Sequence, residues 1–382
     1  MTPYRLGILA MYLSEQRLEE LSYFRKLSTY GQKLGIQILV FTPDDVDKNK
    51  QKIKALVYDV ASGKWQRKWA LIPELIYDRC RYHGVHNFHK ISRFRTVHKK
   101  LHYLSSPLAN KWSMHQALSE DSVIADHLPA TVRYNDHKEM IRLLKQHQRI
   151  YLKPRNGTGG RGIVRLQRIS DSTFLMQGRD EQRRIIPQQK ISESQISTKL
   201  SSWRLKGRYI VQQGISLTLK DGRVHDFRML IQKDGRGEWQ VTGCAGRIGP
   251  MHSVTSNLHG GGTAIAMEKL LMRRFGNKEK VASIQQEANK LGIDIAHFLE
   301  RKFGKQCEIG IDLAIDPKGK VWLLEVNPKP SREVFYRIGE RETYRKAITR
   351  PLEYALWLLQ NKSKNKNKSK PLVDIDKSHT TG

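Results

Sequence analysis

The stretch that most restricts this chain is Glu308 to Lys329, EIGIDLAIDPKGKVWLLEVNPK. Two apolar runs flank Asp316-Pro317-Lys318-Gly319, whose proline and glycine supply the chemistry of a tight turn, so the stretch predicts two strands joined as a hairpin. Glu325 and Asn327 are two apart on the second strand, and an extended backbone sends both side chains to one face. If the hairpin closes, Asp312 approaches them from the facing strand. Two carboxylates and an amide oxygen are hard oxygen ligands of the kind that hold Mg²⁺ and leave positions for water and phosphate. The plainer alternative is a hairpin whose acids face solvent.

The chain of 382 residues is long enough for two or three domains with substantial cores. It contains no apolar run of about 18 residues, so no spanning helix is expected. The start, MTPYRLGILAMYL, reads as a first core strand and lacks the basic start and cleavage site of a secretory signal. Cys80, Cys244 and Cys307 are far apart and show no metal-ligand spacing. They imply free thiols in a reducing compartment, so a cytoplasmic protein is expected. The formal net charge of +31 implies attraction to polyanions, without the motif of a sequence-specific DNA binder.

Residues 4–10 and 36–42 read as buried strands. Between them Leu18, Leu21, Phe24, Leu27 and Tyr30 follow helical spacing, which predicts a β-α-β start and a parallel sheet covered by helices. Further strands are expected at 55–59 and at 73–79, the latter delivering Asp78 and Arg79 to a sheet edge. Helices are expected at 111–118, 138–146, 192–205, 266–275, 281–303 (with a break at Leu291-Gly292) and 345–359. Strands are expected at 149–154, 162–166, 209–213, 226–232 and 239–247. The segment 177–203 is polar and only weakly periodic. The run NKSKNKNKSKP at 361–371 is low-complexity and basic, and is expected to be disordered.

Between the strands at 149–154 and 162–166 lies a loop with four glycines, Gly157, Gly159, Gly160 and Gly162, around Thr158. Glycines let backbone N–H groups approach a phosphate chain without a Cβ in the way, and Lys153 at the preceding strand end can add an ammonium. The loop lacks the GK[ST] of a Walker loop. A plain hairpin tip is the alternative. Downstream, YIVQQGI at 209–215 suits a hinge that reads a base edge through backbone groups, although most such strands are plain core. Asp226 and Arg228 share one strand face and Arg247 ends the next strand; surface ion pairs are the competing reading.

The order of these pieces resembles the ATP-grasp superfamily, and within it the YheC/YheD group of endospore coat-associated proteins. The resemblance rests on FHKISRF, LANKWSMHQAL, LPAT, YLKPRNGTGGRGI, YIVQQGISL, HDFRMLIQKDGRGEWQVTGCAGRIG, SVTSNLHGGG and EIGIDLAIDPKGKVWLLEVNPKP, and covers roughly residues 4 to 357. It implies α/β and α+β architecture, with two α+β lobes gripping ATP behind a Rossmann-like N-terminal domain. The division expected is 1–107 for that domain, 108–207 for the central lobe, 208–360 for the C-terminal lobe and 361–382 for the basic tail.

By position, the resemblance implies that Lys111 and Lys153 approach the nucleotide phosphates and that Gly157 to Gly162, with Thr158, form a flap over them. Gln212, Gln213 and Ile215 fall at the adenine hinge. Gln213 stands where the family often has a Glu for the ribose, and Asp226 is expected to share that task. Arg228 and Arg247 resemble arginines that reach the γ-phosphate or the acceptor. Asp312, Glu325 and Asn327 match the set that holds Mg²⁺, with Mn²⁺ as the alternative, and Asn257 and the His259 to Gly262 loop fall near the metal and acceptor. The implied activity is ATP-dependent joining of a carboxylate to an amine through an acyl phosphate, with an unidentified and acidic acceptor. The competing reading is a spore-coat structural or binding protein that keeps the fold with little catalysis and meets other coat proteins. A module that contacts nucleic acid or other polyanions through charge is a third reading.

Overall fold

In a computed structural model, the chain is described over residues 3–14, 17–47, 49, 51–81, 85–157, 159–256, 258 and 261–368. The described chain divides into two compact units. One takes residues up to 104 with 233–238 and the stretch from 348; the other takes 105–232 and 239–347.

The first unit starts with β1 (Tyr4–Leu9), a small pair β2 (Tyr12–Ser14) and β3 (Arg17–Leu18), α1 (Leu21–Lys33) and β4 (Ile36–Phe41). The first helix therefore begins later than its apolar spacing suggests. The β2–β3 pair consumes the preceding residues, and Glu20, at φ +60°, turns the chain into the helix. β5 (Val46–Asp47), β6 (Lys52–Asp59), β7 (Lys64–Leu71), β8 (Leu75–Asp78), α2 (Val85–Val97) and β9 (His102–Tyr103) follow. β4, β1, β8 and β9 pair in parallel, while β5, β6 and β7 extend the sheet antiparallel beyond β4. Near-continuous apolar strands such as IQILVF suit a sheet covered on both faces. β8 is interior to the sheet and not at its edge, because β9, too short to signal in sequence, pairs beside it. Arg79 at its end is only 2% exposed and donates to Glu20 at 3.0 and 2.9 Å.

The second unit opens with α3 (Lys111–Leu118), α4 (Ser122–Ala125), β10 (Thr131–Arg133), α5 (His137–His147), β11 (Arg149–Pro154), β12 (Ile163–Arg168), β13 (Thr173–Arg179), β14 (Ile185–Ser192), α6 (Glu193–Leu200) and β15 (Tyr209–Gln213). These strands form an antiparallel sheet in the order β10-β15-β11-β12-β13-β14. Met140, Ile141, Leu143 and Leu144 of α5 pack on its apolar face with Ile150, Leu152, Val164 and Val211. The polar stretch at 177–203 contains all of β14, an edge strand exposed along much of its length. An edge with one solvated side needs few apolar residues, which explains its weak periodicity.

A second sheet follows: β16 (His225–Lys233), β17 (Trp239–Ile248), β18 (Thr263–Ala266), α7 (Met267–Phe275), α8 (Lys278–Phe303), β19 (Glu308–Ile315), β20 (Val321–Asn327), α9 (Glu333–Arg337) and α10 (Arg341–Lys368). Its order is β18-β17-β16-β19-β20. The hairpin expected at 308–329 is β19 and β20, with Asp316 Oδ1 accepting the backbone N–H groups of Lys318, Gly319 and Lys320 to shape the turn. α8 runs through Leu291-Gly292 without a break: a Cβ at Gly292 would come within 2.7 Å of Met229 Sδ, so the glycine serves close packing on β16. α10 continues to Lys368, so residues 361–368, expected to be disordered, are helical; propagation from a formed helix needs no new nucleus. Among the described residues no helix is long and apolar enough to cross a membrane.

Candidate active site

Both sheets of the second unit contribute to one cleft of about 160 Å³. On the first sheet, β11 ends at Lys153 and the glycine loop follows. Burial, aided by the nearby charge of Lys111, pushes the Lys153 ammonium down to about 8. Its Nζ donates to Gln212 Oε1 at 2.6 Å, and Gln212 Nε2 donates to Thr131 Oγ1 at 3.1 Å. The neighbouring Gln213 accepts from the backbone N–H of Ala130 at 3.1 Å, so its side chain fastens β15 to the start of β10. Gln212, Gln213 and Ile215 all line the cleft.

Lys111 is placed by a helix cap. Asn110 Oδ1 accepts from the N–H groups of Trp112 and Ser113 at 3.0 and 3.2 Å, which makes Lys111 the first residue of α3. Its Nζ donates to the Gly157 carbonyl at 2.6 Å and to Glu325 Oε1 at 2.9 Å, linking the glycine loop to β20. Gly159 and Gly160, at φ +68° and +77°, turn the loop through the left-handed region, and both line the cleft with Gly157. Gly162 faces away from it: a Cβ there would meet Tyr209 Oη at 2.7 Å. Thr158 lies outside the described residues, as do Asn257, His259 and Gly260.

On the second sheet, Arg228, Asp312 and Glu325 stand in register on three adjacent strands, β16, β19 and β20. Arg228 donates to both oxygens of Asp312, with Nη2 to Oδ2 at 3.0 Å. Arg247 lies behind. Its Nε and Nη2 meet the two oxygens of Asp226 at 2.7 and 2.6 Å, and Nη2 also reaches Asp312 Oδ2 at 3.0 Å. Burial alone would raise the Asp312 carboxyl, but Arg228 and Arg247 outweigh it and hold the group well below the usual carboxylate range. Arg247 is buried and lies outside the cleft lining, so it holds two carboxylates in place, whereas Arg228 and Asp226 line the cleft. Each Asp226 oxygen accepts one bond from Arg247, and the carboxylate also lines the cleft.

A β-bulge between Asp312 and Leu313 pairs Asp312 with Glu325 and Leu313 with Leu323, leaving Leu324 as the extra residue. Leu324, Glu325 and Asn327 all line the cleft. Asn327 Nδ2 is buried without a hydrogen-bond partner among the described residues. The oxygens of this set fit a hard divalent cation: two carboxylates opposite each other on paired strands and the Oδ1 of an amide two residues along, whose unsatisfied Nδ2 is free to donate to an acceptor such as a phosphate oxygen. Lys111, Arg228 and Arg247 supply the positive charge beside these acids here.

The sequence reading missed Tyr151, Leu217, Val224 and His225, which also line the cleft, as do Arg161 of the expected flap and Val254, Thr255 and Ser256 of the loop after β17. Burial, reinforced by the charge of Arg274, pushes His225 down to about 4, and its Nδ1 lies 2.6 Å from the Leu217 carbonyl, so the ring is neutral. Its position just before Asp226 on the same strand was the available signal.

A family model described as YheC/D like ATP-grasp matches residues 100–358. Endospore coat-associated protein YheC of Bacillus subtilis (strain 168) is 27% identical over 361 residues, covering 92% of this chain and 96% of that protein. The crystal structure of D-cycloserine synthetase DcsG, 12% identical, aligns with a TM-score of 0.54 over 92% of this chain and 99% of that one. The ATP-grasp ligase PsnB complexed with a phosphomimetic variant of its minimal precursor, Mg and ADP, also 12% identical, aligns with a TM-score of 0.51 over 92% and 100%. With the matched residues spanning both sheets of the cleft, this chain belongs to the YheC/D-like ATP-grasp family.

Proposed function

We propose that the chain is an ATP- and Mg²⁺-dependent ligase that joins a carboxylate to an amine. The observation that carries this reading is the meeting of Lys111, Lys153, the glycine loop, Arg228, Asp312, Glu325 and Asn327 around one cleft. Lys111 and Lys153 hold the phosphate chain, and the N–H groups of the glycine loop cover it. Ile215, Leu217, Val224 and Leu324 offer an apolar wall for the base, with the end of β15 presenting backbone groups to its edge. Asp312, Glu325 and Asn327 would hold the divalent ion, Mg²⁺ or in its place Mn²⁺, which supplies positive charge to the phosphates when bound.

The acceptor carboxylate attacks the γ-phosphorus, the bond to the β-phosphate oxygen breaks, and ADP leaves with its electron pair. The amine nitrogen then attacks the acyl carbon of the resulting acyl phosphate, expels inorganic phosphate and loses its proton to solvent. Arg228 offsets negative charge spread over the transferring group, and Arg247 keeps Arg228's partner Asp312 in place. No side-chain nucleophile is required.

Titration calorimetry of the full chain with ATP and Mg²⁺ tests the nucleotide site, and ADP release on addition of carboxylic acids tests the chemistry. ATP binding that weakens at least tenfold in Glu325→Gln supports the reading. No ATP binding by the unaltered chain overturns it. A second reading, a coat-associated binding protein with little catalysis, draws on the name of the curated relative and on carboxylates already matched by Arg228, Arg247 and Lys111. It predicts ATP binding without ADP release on any acid, and coat association that survives Glu325→Gln.

A further inference from the structure

Three arginines gather at the rim of the cleft, and among the described residues no carboxylate pairs with any of them. Arg161 is on the glycine loop and lines the cleft. Arg179 ends β13, where it pairs across the sheet with Ile163, a cleft-lining residue at the start of β12. Directly paired residues send their side chains to the same face, so Arg179 faces the cleft side of the sheet. Arg183 sits in the following turn, closed by its own N–H on the Asp180 carbonyl at 3.0 Å. Its φ of +70° is a left-handed conformation that a non-glycine residue seldom adopts. A Cβ on Gly159 would come within 2.5 Å of Arg183 Nη2, so this guanidinium lies directly against the glycine loop.

Arg179 and Arg183 are partly withdrawn from water and incompletely satisfied, while Arg161 is exposed. Arg179 is 6% exposed, and its Nη2 donates to Ser253 Oγ at 3.3 Å. The Nε atoms of Arg179 and Arg183 are both buried with no partner among the described residues. The acids on the same turn are engaged elsewhere: Asp180 meets Arg184 at 2.6 Å and Glu181 meets Arg208 at 3.6 Å. Burial, with the charges of Arg161 and Arg179 added, lowers the Arg183 guanidinium below its ordinary value. Like charges held together at a partly dry rim are unfavourable until an anion joins them. Arg is the side chain whose planar fork takes a carboxylate through paired hydrogen bonds.

The rim is separate from the lysines assigned to ATP. Arg179 lies two strands from β11, which carries Lys153, or about 10 Å at ~4.8 Å per strand. Ser253, its partner, leads directly into Val254, Thr255 and Ser256, which line the cleft from the other sheet. A ligand on this rim would therefore touch both the glycine loop and the loop after β17.

We propose that Arg161, Arg179 and Arg183 bind a second acid group of the acceptor, so that the acceptor is a polyacid such as a glutamate-rich peptide. The inference rests on the ligase reading of the same cleft. One carboxylate lies beside Arg228 for the reaction and the other lies on the arginine rim.

The test uses the full chain and tetraglutamate as probe, with tetraglutamine as its uncharged control, measured by calorimetry without nucleotide and again with ADP and Mg²⁺. Support would be one-to-one binding of tetraglutamate that weakens at least tenfold in R183Q and in R179Q/R183Q while ATP affinity stays within twofold. Removing equal charge at exposed, remote Lys145 and Lys290 should leave tetraglutamate binding within twofold. R183Q alone guards against a folding defect from replacing buried Arg179, and R183K should restore part of the affinity. The inference is overturned if the unaltered chain binds no tetraglutamate in either state. It is also overturned if the charge-matched variant loses as much as R183Q, or if ATP affinity falls with the rim substitutions. Tetraglutamate binding at the rim with no ATP binding would instead overturn the ligase reading and leave an acidic-ligand site.

Discussion

At the scale of single residues the cleft depends on charges that compensate one another. Arg247 holds Asp226 and Asp312 together from behind, and both acids are buried. Removing one partner of such a cluster leaves uncompensated buried charge, a cost of about 3–5 kcal/mol. Arg247→Met should therefore lower the unfolding free energy of the full chain by about that amount, read as a lower urea midpoint at unchanged slope, and weaken ATP binding secondarily; an unchanged midpoint would remove its buttressing role. Lys153 gives a pH test. With its ammonium near 8 in the free protein, it is charged below that pH and loses its proton above it. A bound phosphate favours the charged form and raises the value, so ATP affinity should fall as pH rises through about 8, with net proton uptake on binding. Calorimetry in buffers of different ionisation enthalpy reads that uptake, and Lys153→Met should abolish it.

At the scale of elements, legibility in the sequence followed how local each signal is. The β19–β20 hairpin and Lys153 with its glycine loop were readable because alternation and turn residues lie within a few positions of each other; the Asn110 cap that sets Lys111 at the start of α3 is equally local. The β13–β14 pair, the short β9 and the rim arginines were not, because what defines them is pairing with distant strands. The bulge that turns Leu324 to the cleft is a two-against-one count between strands and has no single-residue signature. The loop after β17 belongs to the same class. Gly249 donates to the Val224 carbonyl at 2.8 Å, and a Cβ on it would collide with the carbonyl oxygen of Thr255. Backbone cannot yield as a side-chain end can. Gly249→Ala should therefore push Val254 to Ser256 out of the cleft, weakening ATP or tetraglutamate binding about tenfold, equivalent to ~1.4 kcal/mol. The far-ultraviolet spectrum should stay native. Unaltered affinity for both ligands would show that this loop does not shape the cleft.

At the scale of the whole molecule the net charge of +31 makes two kinds of anion binding coexist, and salt separates them. Charge dispersed over a solvated surface attracts any polyanion through released counterions, so affinity should fall steeply with ionic strength and ignore sequence. If six to ten phosphates are contacted, mixed-sequence DNA should lose on the order of 10³–10⁵-fold in affinity between 50 and 200 mM salt. The cleft behaves differently. Its cations act at short range from partly buried positions, where mobile salt screens them much less, so ATP binding should change by less than about tenfold over the same range. The two should also separate by mutation: Glu325→Gln weakens ATP binding and leaves DNA retention unchanged, while neutralising exposed Lys145 and Lys290 does the reverse to a small degree. Salt titrations of both ligands against the three proteins measure this directly. DNA binding that survives 200 mM salt with a sequence preference would make nucleic acid a dedicated partner. Equal salt slopes for ATP and DNA would instead place the nucleotide on the open surface rather than between the two sheets.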